Sequence, residues 1–361
     1  MVSVGLVMIV KDEEAVIERA LLSVIPFIST YVIVDTGSTD RTKEIILRSL
    51  ADLSGQLIDR PWVSFGHNRS EALALCDRYM DWAIMLDADD TIEGPVPPPS
   101  AWTMAVDAFM MQIKHGSITH IRHQIFRTGI GWAYEGTVHE YAVCRTKERP
   151  VLAGLPAETY MATRCEGSRS KDPNKYLNDA RLLEAELAKN PNDPRTLFYL
   201  AQSYRDAGHI ETAIDHYRRY VDLSGQSIQE RYVSLLNLIS LVQDQEEKLR
   251  FTWTAINLCP DRLDAPYIYL KQRRATGLPV TQQCYAVASI VKNRRISPLH
   301  MFAMPAVYEW GMDDELAIIA FASGHYREAY EASTRCIMTA PTDDMRANAA
   351  KNAKTAYDAM Q

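Results

Sequence analysis

Short apolar runs alternate with amphipathic stretches through the first 150 residues of the chain. The apolar runs predict buried strands at residues 2–10, 31–34, 56–59 and 82–86. Helical spacing of apolar positions predicts helices at residues 14–24, 40–50 and 68–79. Two more strands are expected at 105–114 and 118–126, after a proline-rich turn at 94–99. This strand–helix order predicts an α/β domain with a mostly parallel sheet and helices on both faces.

The second half of the chain has a different pattern, because strand signals stop and long helical patterns continue. The segment GHIETA, which starts at Gly208, is echoed by GHYREA at Gly324. Pro191 is echoed by Pro260, an offset of 69 residues, which is close to twice the ~34-residue tetratricopeptide period. We therefore expect an array of helical hairpins. The predicted domains are an α/β domain at residues 1–165 and an all-α, tetratricopeptide-like repeat domain at 166–361.

Composition agrees with a globular protein that has two cores. The chain has 361 residues, of which 47% are hydrophobic and 24% charged, and its net charge is −7. Residues 1–150 carry 14 basic and 20 acidic side chains and the remainder carries 25 and 26, so a basic surface is expected in the second half. Two clusters there are candidates for an anionic partner: Lys271, Arg273 and Arg274, and Lys292, Arg294 and Arg295.

The six cysteines are scattered and form no CxxC pair, which indicates reduced thiols rather than zinc or a disulfide framework. The apolar opening of the chain has no basic flank, and no run of about 18 apolar residues follows. We therefore expect a cytoplasmic protein without membrane insertion.

The first candidate motif, residues 34–42, follows a predicted strand and precedes a helix. Ligands of open α/β sheets bind at such strand ends. Asp35 is placed to accept hydrogen bonds from a base or ribose. Gly37 permits close approach of the backbone, and Ser38 lies near the free N–H groups of the helix start. An ordinary strand-to-helix turn is the alternative interpretation.

The second motif is the acidic stretch Asp87-Ala88-Asp89-Asp90-Thr91. Crowded carboxylates repel one another unless a cation lies among them, and their hard oxygens suit Mg²⁺ or Mn²⁺. Asp-x-Asp fits two chemistries, a metal-held diphosphate and the aspartyl nucleophile of haloacid-dehalogenase-type phosphatases. The phosphatase motif normally opens its domain, whereas about 85 residues of α/β pattern precede it here. Position therefore favours the metal-held diphosphate.

The third segment, residues 126–141, mixes glycines, aromatics, one arginine and three ionisable candidates for chemistry. Glu140 or Glu135 is expected to act as a general base toward an acceptor hydroxyl or thiol. His139 is a candidate to bind the metal or to orient the base. Arg127 is a candidate contact to the donor, and Trp132 is either part of the site or core.

Two further groups are expected at the same edge of the sheet. Lys11, Asp12 and Glu13 follow the first strand, and Asn68 and Arg69 lie at a helix start. Each is a candidate contact to a nucleotide.

Taken in order, the segments 8–14, 34–40, 86–90 and 136–140 resemble the family 2 glycosyltransferases with a GT-A fold. The later segments 169–176 and 198–208 are similar to the subgroup with a C-terminal tetratricopeptide-like domain. The resemblance implies a Rossmann-like GT-A domain, a nucleoside-diphosphate sugar donor such as a UDP-sugar, a Mn²⁺ or Mg²⁺ cofactor, and inversion at the anomeric carbon.

The resemblance also implies roles for individual residues. Asp35 would contact the base, Asp87 the ribose or the metal with Ala88 beside the donor, and Asp89 the metal. Glu140 would be the leading base and Glu135 the second. A metal-binding His is common late in such domains, but residues 164–166 are Arg-Cys-Glu here, so the third ligand stays open, with His139 as the candidate.

The acceptor implied is a protein side chain, a glycan or a modified nucleic acid. The helical array is expected to form an acceptor surface or a homodimer interface. The alternative function is a tetratricopeptide binding scaffold that carries an inactive transferase domain, and the complete set Asp87, Asp89 and Glu140 argues against it.

Overall fold

The computed structural model describes residues 2–98, 102–116, 118–290, 296–297 and 300–361. It divides into two compact units, Met1–Glu186 and Leu187–Gln361. This division falls later than the expected domain boundary between residues 165 and 166, which stays a prediction. The second basic cluster, Lys292, Arg294 and Arg295, lies outside the described residues, as does the end of the proline-rich turn.

A mixed sheet forms the centre of the first unit. Its strands among the described residues are β1 (Val4–Val10), β2 (Thr30–Asp35), β3 (Ser54–Asp59), β4 (Trp82–Met85), β5 (Thr91–Glu93), β6 (Ala108–His115), β7 (Ile118–Arg127), β10 (Leu152–Gly154) and β11 (Tyr160–Ala162). They follow the order β3-β2-β1-β4-β7-β6-β11-β5, and β10 also pairs with β6. The first four strands in this order are mutually parallel, and β7 is antiparallel to both β4 and β6.

A separate hairpin of β8 (Trp132–Glu135) and β9 (Tyr141–Cys144) follows β7 in sequence. Trp132 is buried, and its indole N–H donates to the Asp107 carbonyl at 3.1 Å. Of the two interpretations of Trp132, the structure therefore supports the core residue.

Helices cover both faces of the sheet, as the sequence predicts. Those of the sheet region are α1 (Ile17–Val24), α2 (Thr42–Ser49) and α3 (Phe65–Cys76). Alternate residues of β1 explain the two layers. Leu6 and Met8 pack with α1 and α2, whereas Val7 packs with α3 on the opposite face. Burial of both faces accounts for the nearly continuous apolar character of the central strands.

From Lys175 onward, the regular elements of the described residues are helices. Their bounds are α4 (Lys175–Lys189), α5 (Pro194–Asp206), α6 (Ile210–Asp222), α7 (Ile228–Leu241), α8 (Gln245–Leu258), α9 (Asp264–Ala275), α10 (Gln282–Ile290), α11 (Met312–Ala322), α12 (Tyr326–Thr339) and α13 (Asp343–Asp358). No helix among the residues in view is both long and apolar enough to cross a bilayer.

The repeat predicted from sequence is present as two equivalent helix turns. Gly208 between α5 and α6 and Gly324 between α11 and α12 have φ angles of +81° and +80°. In each turn the next residue, His209 or His325, donates its backbone N–H to a carbonyl five residues earlier, at 2.9 and 2.8 Å. The expected fold class, an α/β unit followed by a helical tetratricopeptide-like unit, is confirmed.

Candidate active site

The carboxyl ends of β1, β2 and β4 meet at one edge of the sheet because these strands are parallel and adjacent. This edge carries the loops that begin at Lys11, Thr36 and Leu86. Strand ends of an open α/β sheet are the usual place for ligand binding. The edge therefore brings together most of the side chains that the sequence selects.

The loops after β1 and β2 are tied to each other. The Asp12 carboxylate accepts from the Thr39 backbone N–H at 2.7 Å, and the Asp12 N–H donates to the Ser38 hydroxyl at 3.0 Å. Asp12 has a φ of +54° and Gly37 a φ of +110°, so both loops are tight turns. Asp12 and Ser38 thus shape the edge through loop-to-loop hydrogen bonds, while Lys11 is exposed beside them.

Asp35 is fully buried at the end of β2. Its Oδ1 accepts from the backbone N–H groups of Gly37 and Ser38, at 2.9 and 2.8 Å. Its Oδ2 has no hydrogen-bond partner among the described residues. Lys43 lies 3.7 Å from Oδ1. Oδ1 therefore stabilises the loop after β2, and Oδ2 remains able to accept a hydrogen bond.

The acidic loop after β4 concentrates negative charge. Ala88 and Asp90 are buried, while Asp87 and Asp89 are half-buried. Burial, together with the charges of Asp87 and Asp89, raises the pKa of Asp90 to about 7, and its Oδ1 lacks a partner within the described chain. Burial also raises the pKa of Glu13, with a contribution from Asp89. Asp87 differs: burial acts to raise its pKa, but the nearby charges of Arg69, Arg122 and Arg169 lower it below the ordinary value.

A later segment approaches this loop with backbone donors. The Gly167 N–H donates to Asp89 Oδ2 at 2.9 Å, and the Ser168 N–H donates to Glu13 Oε2 at 3.1 Å. This is the region in which the resemblance leads us to expect a metal-binding His. The structure provides main-chain N–H groups there instead.

Arg69 connects the acidic loop to the third segment. Its guanidinium forms ion pairs with both Asp87 and Glu140. The side chains of Arg69 and Glu140 are only 13% and 8% exposed. The structure thus brings Glu140, which comes from the β8–β9 hairpin, to the same place as Asp87. Sequence analysis selected all three residues but gave no reason for this contact.

The other residues of the third segment are more peripheral. Glu135 is exposed and accepts from the Tyr141 hydroxyl at 3.4 Å. His139 is exposed in the hairpin turn with a φ of +56°. Within the described residues, no group of three or more His, Cys, Asp or Glu side chains is arranged to hold a metal.

Two predicted donor contacts are not brought to this edge. Arg127 pairs in register with Trp82 at the start of β4, the opposite end from Asp87, and its guanidinium binds Asp107 at 2.5 Å. Asn68 is fully buried, and it uses its amide oxygen and nitrogen to bind the Val63 N–H and the Pro61 carbonyl, each at 3.0 Å. Both side chains have structural partners instead.

A pocket of about 260 Å³ opens beside Asp87 and Glu140. Arg69 and Met85 also line it, and the rest of its lining is from β6, β7, β8 and β9 and includes Met110, Ile121, Arg122 and Tyr134. Met110, Ile121 and Arg122 were not selected from the sequence, whereas Tyr134 lies in the third candidate segment. Residues 120, 122 and 124 are polar, a spacing that places Arg122 on one face of a strand. This spacing does not show that the face lines a site.

Comparisons with known proteins identify similarities in both halves of the chain. Residues 6–99 match the model of the glycosyl transferase family 2. An uncharacterised glycosyltransferase of Rickettsia bellii is 36% identical over 84 residues, which are 23% of this chain and 26% of that protein. A TPR repeat-containing protein of Synechococcus elongatus is 34% identical over 93 residues, 26% of this chain and 22% of that protein. The chain thus matches about a quarter of the length of these curated relatives.

Solved structures give distant similarities. S. aureus TarS 1-349 in complex with UDP-GlcNAc aligns with a TM-score of 0.37 and 14% identity, over 77% of this chain and 93% of that chain. MamA aligns with a TM-score of 0.30 and 18% identity, over 52% and 90%. The family match itself includes Asp35 and the acidic loop and ends before Glu140. The first unit therefore carries a glycosyl transferase family 2 domain, as its motifs predict.

Proposed function

We propose that the protein is a metal-dependent, inverting glycosyltransferase that uses a nucleoside-diphosphate sugar, with a UDP-sugar as the donor. The observation that carries the proposal is the meeting of Asp87 and Glu140 beside one pocket. The first belongs to the acidic loop at the edge of the sheet and the second to a separate hairpin. A transferase needs a cation that stabilises the leaving group and a general base, both within reach of one substrate. Asp87 would hold the cation, and Glu140 is the candidate base.

The donor is expected at the edge formed by β1, β2 and β4. Lys11 supplies an exposed cation, Gly37 an open backbone, and Asp35 an acceptor oxygen without a partner among the described residues. Asp12, Glu13 and Ser38 hold the loops in shape. Arg69 remains in the proposed donor set because it binds Asp87 of the acidic loop, whereas Asn68 and Arg127 have structural partners elsewhere.

A divalent cation is proposed here on the chemistry of the acidic loop, and its ligand set is incomplete among the described residues. Asp87, Asp89 and Asp90 supply hard carboxylate oxygens within four residues, and burial, together with the charges of Asp87 and Asp89, raises the pKa of Asp90. Asp87 and Asp89 would hold Mn²⁺ or Mg²⁺, with His139 as the candidate third ligand. When bound, the cation supplies positive charge that neutralises a diphosphate leaving group.

The proposed mechanism is a single displacement. The acceptor oxygen or sulfur forms a bond to the anomeric carbon from the far side, while the bond from that carbon to the diphosphate oxygen breaks. The acceptor proton passes to Glu140, and the nucleoside diphosphate leaves with the electron pair. Arg69 forms an ion pair with the Glu140 carboxylate and so holds it beside Asp87. Glu135, which is exposed, is the second candidate base.

The acceptor class proposed is a hydroxyl or thiol of a protein, a glycan or a modified nucleic acid. Six free cysteines support a reducing, cytoplasmic location. Homodimer formation through the helical unit stays a prediction.

A thermal-shift screen of UDP-, GDP- and dTDP-sugars, with and without Mn²⁺, tests the donor site. We expect metal-dependent stabilisation by one donor. Glu140→Gln is expected to retain that stabilisation and to lower turnover by about 10²–10⁴. Asp89→Asn is expected to lose both the stabilisation and the transfer activity while it stays folded.

Asp52→Asn, which changes an exposed carboxylate of the same unit, is the matched control and should behave as wild type. Near-normal turnover of Asp89→Asn at saturating Mn²⁺ would contradict the metal assignment. A cooperatively folded protein that no nucleotide sugar stabilises would favour the alternative, a tetratricopeptide scaffold with an inactive domain.

A further inference from the structure

The pocket beside Glu140 is lined by side chains that the proposed donor site does not use. Its lining combines Arg69, Asp87 and Glu140 with residues of β7 and of the β8–β9 hairpin. Strand β7 extends past the end of β4, because its pairing with β4 stops at Ile125 while the strand itself begins at Ile118. This extension forms a wall above the acidic loop.

Arg122 lies on this wall and lines the pocket. It is exposed, and among the residues in the described ranges it makes no hydrogen bond or ion pair. The carboxylates that line the pocket, Asp87 and Glu140, are already paired with Arg69. The charge of Arg122 also acts on Asp87, but the two form no ion pair. The pocket therefore contains a guanidinium whose five donors are available to a ligand.

The side chains next to Arg122 on β7, His123 and Gln124, add no second positive charge. Burial lowers the pKa of His123, so its imidazole is neutral at pH 7. Gln124 is buried and donates its amide to the Met85 carbonyl. The unpaired positive charge of the β7 wall is thus that of Arg122.

The rest of the lining is apolar and aromatic. Met110, Ile121 and Ala142 contribute hydrocarbon surface, and Tyr134 and Tyr141 contribute rings. Ile121 and Tyr141 are 61% and 43% exposed, so apolar surface is accessible at the pocket. A pocket of about 260 Å³ is at the small end for organic ligands, typically roughly 300–1,000 Å³. Apolar walls with one guanidinium suit a single sugar unit that carries an anionic group.

We propose that this pocket is the acceptor subsite and that Arg122 binds a carboxylate or phosphate on the acceptor sugar. The proposal rests on the proposed transferase function, because a general base must lie within hydrogen-bond reach of the acceptor proton. The acceptor is therefore expected to bind in the pocket that Glu140 lines. The donor elements, in contrast, lie at the ends of β1, β2 and β4.

The test compares three matched probes: methyl β-D-glucoside, methyl β-D-glucuronide and glucose 6-phosphate. Their binding is measured by NMR titration of wild type and of Arg122→Gln, Arg122→Lys and Arg78→Gln. Arg78 is exposed in the same unit and outside the pocket, so it is the control. Hydrolysis of the nucleotide sugar without acceptor is measured in parallel and reports the donor site alone.

We expect one of the two anionic probes to bind wild type at least about tenfold more tightly than the neutral glucoside. Arg122→Gln should remove that preference, Arg122→Lys should retain part of it, and Arg78→Gln should leave it unchanged. The donor KM of Arg122→Gln should equal that of wild type. A preference for the glucuronide identifies a carboxylate acceptor, and one for the sugar phosphate identifies a phosphorylated acceptor.

Equal binding of charged and neutral probes, or no binding of any of them, overturns the proposal. A raised donor KM in Arg122→Gln also overturns it, because Arg122 would then belong to the donor site. If the wild-type protein does not hydrolyse any nucleotide sugar, the proposed transferase function is contradicted. Failure of the proposed function is thereby distinguished from failure of the acceptor proposal.

Discussion

Gly167 lies against the carboxylates of Glu13 and Asp89, where there is little room for a side chain. A Cβ atom built on it would lie 3.1 Å from Glu13 Oε1 and 3.2 Å from Asp89 Oδ2. Its φ of −62° is accessible to any residue, so an alanine would be crowded by the carboxylates rather than strained in its backbone. We predict that Gly167→Ala displaces the Gly167 N–H from Asp89 and weakens Mn²⁺-dependent donor binding about tenfold. Calorimetric titration of UDP-sugar with and without Mn²⁺ measures the effect.

Gly154→Ala is the matched control for this prediction. Gly154 lies in β10 of the same unit, and a Cβ atom there would meet no atom within 4 Å. It should leave donor affinity unchanged. Equal affinities of Gly167→Ala and wild type for the metal and donor would mean that the hydrogen bond to Asp89 does not position that carboxylate for a ligand.

Single strands and helices could be predicted from the sequence because their signal is local. The apolar runs located β1, β2 and β4, and the residues at their ends were selected as a ligand edge because parallel strands end on one side. Periodicity does not give the pairing partner of a strand. The antiparallel insertion of β7 next to β4 was therefore not predictable, and with it the pocket and Arg122.

The two misplaced donor contacts have the same origin. Arg127 is close in sequence to the hairpin that carries Glu140, but the antiparallel direction of β7 places it beside Trp82 at the far end of β4. Asn68 is next to Arg69, yet α3 turns its amide toward the preceding loop. Sequence proximity indicates a shared site only where the direction of the strand or the face of the helix is known.

A buried ion pair fixes the junction of α7 and α9 in the helical unit. Arg262 and Asp264 are fully buried, with Nε and Oδ2 at 3.0 Å. Arg262 also donates to Gln229 of α7 at 3.0 Å, and Asp264 accepts from the Tyr308 hydroxyl at 2.8 Å. This network joins segments that are distant in sequence, so its stability contribution depends on all partners being present.

We predict that Asp264→Leu destabilises the protein by about 3–5 kcal/mol, because it leaves the Arg262 guanidinium buried without its counter-charge. The double variant Arg262→Met, Asp264→Leu should recover most of that loss, since both buried charges are then absent. Urea denaturation followed by far-ultraviolet circular dichroism gives the free energies. Asp215→Asn, which changes an exposed partner of Arg218, is the control and should not alter the midpoint. A double variant as unstable as the single one would contradict the electrostatic explanation.

At the scale of the whole molecule, the distribution of charge bears on the acceptor. The net charge is −7, and residues 1–150, which include the proposed site, carry 14 basic and 20 acidic side chains. In the described basic cluster, Arg274 is paired with Glu315 at 2.6 Å, and the charge of Lys271 acts on Asp314. A polyanion would therefore meet a surface of mostly like charge.

We accordingly predict that duplex DNA does not bind the protein measurably at about 0.15 M salt, because few phosphates would be neutralised and few counterions released. Fluorescence anisotropy of a labelled duplex, titrated at about 0.05 M and 0.15 M salt, tests this. Submicromolar binding at the higher salt, with a steep salt dependence, would contradict it and would make modified nucleic acid the leading acceptor. Absence of binding leaves a protein side chain or a glycan. In that case the single guanidinium of Arg122 is matched to one charged sugar unit rather than to a chain of phosphates.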